Sequence, residues 1–143
     1  MIWKFNDGGR KAAGYKSKTD DCVVRAIAIG TGMSYQEVYD LVNTYGAKEY
    51  KTKQRKGKSS AREGVYKSTV RRILEELGWG FTPTMFIGSG CKVHLKADEL
   101  PSGNIICTVS KHVVAVKDGV IQDTHDCSRN DTRCVYGYWE DRK

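Results

Sequence analysis

The run Asp21-Cys-Val-Val-Arg-Ala-Ile-Ala-Ile-Gly30 constrains this chain more than any other stretch of it. Asp20 or Asp21 is suited to cap a helix and Gly30 to Gly32 to close one, and between them Cys22 to Ile29 is apolar on every side but that of Arg25. A helix of that kind has to be enclosed, so the other elements must wrap it. The chain is long enough: 143 residues, 39% of them hydrophobic, can bury roughly 68–70% of the surface an unfolded chain exposes, without metal or disulfide staples.

The rest of the first half keeps the helical period. Ser34-Tyr-Gln-Glu37 is a capping box that opens a second helix through Val38, Leu41 and Val42 to about Tyr45. A third starts at Ser68 or Thr69, repeats Val70, Ile73, Leu74 and Leu77 on one face, and stops at Gly78. Ahead of the first helix stand a short strand, Ile2 to Phe5, and an irregular segment with Gly8, Gly9 and Gly14. Beyond Gly80 to Gly90, which fits either state, strands are expected at Lys92 to Leu95, Asn104 to Val109, His112 to Lys117, Val120 to Thr124 and Val135 to Trp139. Asp118-Gly119 between two β-branched runs is the strongest turn signal in the chain. Helices followed by an antiparallel meander predict one α+β domain over residues 1–143, with the sheet packing one face on the helices.

The charge balance, 24 Lys+Arg against 17 Asp+Glu or +7, is uneven. Lys48, Lys51, Lys53, Arg55, Lys56, Lys58 and Arg62 crowd a window with Gly57, Ser59 and Ser60, which predicts a flexible basic loop at about 48–66. It is either a solvated connection or a patch where Lys51, Lys53, Arg55, Lys56 and Lys58 contact an acidic protein or nucleic acid. No paired zinc-finger spacing, aromatic RNA-binding signature or basic heptad helix accompanies it. No run approaches ~18 apolar residues and the opening residues lack the apolar segment of a secretion signal, so a soluble, cytoplasmic protein with no membrane partner is expected. In that compartment Cys22, Cys91, Cys107, Cys127 and Cys134 are expected as free thiols, Cys107 as a buried one.

Cys22 falls in the first turn of the buried helix, where unpaired N–H groups and the helix dipole favour a thiolate. The charges of Asp20 and Asp21 push the other way. A two-residue turn at Asp118-Gly119 pairs Lys117 with Val120, Val116 with Ile121, Ala115 with Gln122, Val114 with Asp123, Val113 with Thr124 and His112 with His125. It sets His112, Val114, Val116, Ile121, Asp123 and His125 on one face, expected to cover the helices. Asp123 is then the diagonal neighbour of His112, at roughly 7–8 Å, a gap two side chains can close. An imidazole and a carboxylate on an apolar face are costly unless they pair or serve a site. Cysteine, histidine and carboxylate supply a nucleophile, a base and an orienter.

Asp21-Cys-Val-Val-Arg-Ala-Ile-Ala-Ile-Gly and His112-Val-Val-Ala-Val-Lys-Asp-Gly-Val-Ile-Gln-Asp-Thr resemble the papain-like cysteine peptidase superfamily, most of all its bacteriocin-processing branch and small phage and bacterial proteins of similar length. The resemblance spans about residues 20–140. It implies a papain-like fold and an enzyme that cleaves an amide or isopeptide bond in a peptide or protein. Cys22 would be the nucleophile, His112 the base and acid, and Asp123 the group that orients the ring. In the family a glutamine about six positions before the cysteine supplies the oxyanion donor; this chain has Lys16 there. Either the Cys22 backbone N–H with Lys16, Ser17 or Thr19 takes over, or the protein is a weak enzyme or an inactive papain-like binding protein whose basic loop does the binding.

The same atoms offer a metal reading. Cys91-x-x-His94 and His125-x-Cys127 with Cys134 contain enough ligand types for zinc, but no Cys-x-x-Cys knuckle, and the elements of a zinc nucleobase deaminase are absent. No metal and no cofactor is therefore expected, and His94 and His125 are read as surface histidines. Tyr136, Tyr138 and Trp139 are read as strand packing.

Overall fold

A computed structural model of the chain describes residues 1–16, 19–49 and 57–143. Helix α1 (Cys22–Thr31) is enclosed as its composition demands, with every residue from Val23 to Gly30 buried. Gly32 ends it in the left-handed conformation, φ 79°, and its N–H reaches the Ala28 carbonyl. Around α1 lie α2 (Tyr35–Ala47), opened by the expected Ser34/Glu37 capping box, and α3 (Lys67–Glu76), which begins just ahead of Ser68. The three helices share one core: Val24 and Ile27 of α1 pack with Val38 and Val42 of α2, Ile73 and Leu74 of α3, and Trp79, Ile106 and Trp139 of the sheet.

That sheet has six strands: β1 (Ile2–Phe5), β2 (Trp79–Pro83), β3 (Asn104–Val109), β4 (His112–Lys117), β5 (Val120–Asp123) and β6 (Gly137–Asp141), in the order β1-β5-β4-β3-β6-β2. The architecture is α+β, with a sheet that is mixed and not purely antiparallel. β1 comes from the far end of the chain and takes the free edge of β5 in the parallel sense, Ile2 beside Val120 and Phe5 beside Asp123. β2 lies in the stretch that fitted either state; Trp79 and Phe81 give it apolar residues at period two, and it pairs with β6. The strand expected at Lys92 to Leu95 is reduced to a single bridge between His94 and Cys134.

Both faces of the sheet are covered, and this corrects one expectation. Val114, Val116 and Ile121 do not face the helices; they form a second core with Leu95, Ile105, Cys107, Val109, Cys127 and Val135. Strand alternation decides it, because Ile106 and Trp139 turn to the helices and Ile105 and Cys107 therefore turn away. The close approach of α1 to the sheet depends on Gly30, where a Cβ would stand 2.9 Å from the side chain of Ile106.

The hairpin turn is as expected. Asp118 and Gly119 both have positive φ, 48° and 78°, as a two-residue type I′ turn requires, and the register runs Lys117 with Val120, Val116 with Ile121 and Ala115 with Gln122. The ladder goes no further. Past Gln122 the main chain of β5 turns to β1: the Asp123 carbonyl accepts the Asn6 N–H at 2.9 Å and the Trp3 indole N–H at 3.0 Å.

The thiols are not all free. Cys91 and Cys134 form a disulfide, while Cys22, Cys107 and Cys127 carry free sulfurs. The bonded pair stands 5.8 Å apart at Cα, where the segment 93–95 is held against 133–135 by backbone hydrogen bonds of 2.8 Å. Cys107 is buried, as its strand implied. Among the described residues no helix is long and apolar enough to cross a membrane.

The basic stretch is narrower than 48–66. Lys48 caps α2, Lys58 donates to the Ala47 carbonyl at 2.9 Å, and Ser59 and Ala61 are buried. Ser59 and Thr69 both bond the Glu49 carboxylate, so the flanks of the stretch are packed. Lys51, Lys53, Arg55 and Lys56 lie outside the described residues.

Candidate active site

The first turn of α1 places Cys22 half-buried in the wall of a cavity of about 1040 Å³, which is also lined by His112, Arg25, His125, Phe81 and Trp139. His112 starts β4 and Asp123 ends β5, on neighbouring strands of the hairpin. Their side chains close the gap: His112 Nε2 lies 2.7 Å from Asp123 Oδ2. That contact occupies Nε2 and holds the ring near the sulfurs of both Cys22 and Cys127.

The electrostatics follow from these contacts. Burial pushes the Cys22 thiol up, but hydrogen bonding to His112, the charge of that ring, a backbone bond at Val113 and the charge of Arg25 outweigh it and hold the thiol below its usual range. Burial disfavours the charged imidazole, yet the Asp123 carboxylate, which accepts from the ring, and the nearby sulfurs of Cys127 and Cys22 push His112 up to about 11. Burial of Asp123 is likewise overcome, by His112 first and then by Arg25, and its carboxyl lies far below the usual carboxylate range. A thiolate beside an imidazolium is the form this arrangement favours, and a thiolate is the nucleophilic state of sulfur.

A second layer of charge holds the first in place. Arg25, the one charged residue of the apolar helix, pairs with Asp123 Oδ1 and places its Nε 2.9 Å from Asp21 Oδ1. Asp21 is completely buried and also binds Arg10 at 3.2 Å and the Tyr35 hydroxyl at 2.7 Å. It occupies the N-cap position of α1, but its side chain makes no capping bond. Its carboxylate instead meets two guanidinium groups and the Tyr35 hydroxyl. The signal for this layer was in the sequence: a single arginine in an otherwise apolar buried helix needs a carboxylate partner.

Lys16, in the position of the family's oxyanion glutamine, is exposed and does not line the cavity; Thr19 and Asp20 do. Ser17 lies outside the described residues. His125 is exposed, but it is part of the site, since its ring centroid lies 5.4 Å from that of His112. His94 stands apart, 3.3 Å from Glu99. The zinc arrangement built on Cys91 and Cys134 is excluded, because their sulfurs are bonded to each other. The tyrosines and Trp139 are packing residues: Tyr138 lies against the second core and Trp139 is buried on Phe81.

No protein-family model, no curated protein and no solved structure matches this chain.

Proposed function

We propose that the chain is a cysteine hydrolase of papain-like type, acting on an amide or isopeptide bond of a peptide or protein through Cys22, His112 and Asp123. The observation that carries the reading is that Cys22 and His112 line one cavity, with the His112 ring held from behind on Asp123 at 2.7 Å. The Cys22 thiolate attacks the substrate carbonyl carbon, and the carbonyl π electrons move to the oxygen. N–H groups of the first turn of α1, that of Cys22 among them, stabilise the oxyanion. Collapse of this intermediate breaks the C–N bond, and His112 gives its proton to the leaving nitrogen. Water, deprotonated by His112, then cleaves the thioester and restores the thiol. Asp123 keeps the ring oriented and balances its charge.

Haloacetamide labelling with mass mapping tests this directly. Cys22 should react at neutral pH much faster than Cys107 and Cys127, and His112→Ala should slow it about tenfold or more, in keeping with the loss of a positioned base. Equal labelling of the three free thiols, unaffected by His112→Ala, would falsify the reading. The Cys22 rate against pH should rise with a midpoint below the 9.0 of an ordinary thiol, and Asp123→Asn should move that midpoint upward.

A further inference from the structure

We infer that His112, Asp123 and His125 form a binding site for a divalent transition metal of the zinc type, whose occupation withdraws His112 from Cys22. One ligand atom from each of the three lies within 4.8 Å of the other two. They come from the start of β4, the end of β5 and the turn just after it, so they are close both in the chain and across the hairpin. Two imidazoles and a carboxylate are the donors that zinc and its neighbours take, three protein ligands leave a fourth position, and both histidines also line the cavity.

The geometry needs only a small adjustment. Two donors on one zinc, each at about 2.0–2.1 Å in a tetrahedral arrangement, stand about 3.3 Å apart. His112 Nε2 and Asp123 Oδ2 are already 2.7 Å apart, and His125 is exposed and able to swing in. The surrounding charge is suited as well. Arg25 holds Asp123 through Oδ1, which leaves Oδ2 for the ion, and Asp21 offsets Arg25 from its far side. A ligating carboxylate fixed by an outer hydrogen bond is the usual support of such a site.

Binding exchanges one ion for one proton: the metal takes the lone pair of His112 Nε2, and the proton held there passes to solvent. The imidazole keeps its other N–H and accepts no further proton, so the thiol loses its base. The metal-bound and the thiolate-imidazolium states therefore exclude each other. The site stands whether or not Cys22 proves to be a nucleophile.

Zinc ion alone is the probe, titrated calorimetrically into the full chain with its disulfide intact, alongside cobalt(II) for its visible absorption. One zinc per chain should bind and cobalt should give a tetrahedral spectrum. His125→Ala should weaken zinc at least tenfold, since even an outer-layer change costs about 10–100-fold, while Cys22→Ala should keep most of the affinity. Zinc should also slow haloacetamide labelling of Cys22 in the parent chain, whereas in His125→Ala it should leave the rate at that variant's own metal-free value. No binding, binding unchanged by His125→Ala, or binding abolished by Cys22→Ala overturns the proposal. The calorimetric result decides it even if Cys22 labels no faster than the other thiols.

Discussion

Arg25 joins two buried carboxylates that belong to different parts of the chain, Asp21 at the head of its own helix and Asp123 at the end of β5. Removing Arg25 takes from both buried carboxylates a cation they share, leaving Asp21 with Arg10 and Asp123 with His112. Arg25→Met should therefore cost about 3–5 kcal/mol, measured by urea unfolding, far more than a solvent-exposed ion pair is worth. Arg71 with Glu75 is such a pair, more than half exposed on both sides, and Arg71→Met should change stability by less than about 1 kcal/mol. At this scale the contact between His112 and Asp123 was legible in the sequence as a diagonal pair across the hairpin, although the ladder itself ends at Gln122 and the face that carries them turns away from the helices. The supporting residues were less so. Asp21 has the composition of a cap and is used as a counter-ion, and His125 lies past the point where hairpin register holds, so period two could not place it.

The elements show the same division. Ser34/Glu37, Gly32 and Asp118-Gly119 are local signals, and the helix starts and turns they predict are all present. Ser34→Ala should remove the capping bond to the Glu37 N–H and cost about 1 kcal/mol, seen as a lower urea midpoint with an unchanged slope. What was not legible depends on partners distant in the chain. β2 needed β6 to make it a strand, and the parallel edge place of β1 followed from an unfilled edge of β5. The outward turn of Val114 and Val116 followed from a second core that no single strand announces. Lys92 to Leu95 had strand composition but found only one bridge, at His94, beside the disulfide.

For the whole molecule the disulfide is the largest departure from expectation. It closes a loop with a sequence separation of 43 residues, for which chain entropy gives a stabilisation of up to about 4 kcal/mol. Dithiothreitol should lower the urea midpoint of the parent chain and leave that of a Cys91→Ser/Cys134→Ser variant unchanged. The pH response belongs to this scale too. Asp123 has its carboxyl lowered on folding, so its contribution is complete above the unfolded value of 3.8 and is lost as pH falls below it. The stability difference between the parent and Asp123→Asn should accordingly shrink on acidification, followed by unfolding from pH 6 down to pH 2. The parallel pairing of β1 with β5 bears on timing. Ile2–Phe5 emerges from the ribosome well before Val120–Asp123 exists, so the first strand waits for a partner more than a hundred residues away. His112 and Asp123 arrive with that later strand pair, and Cys22 meets them only once both strands have been made. Until then the Cys22 sulfur stands without the two groups that surround it in the folded chain.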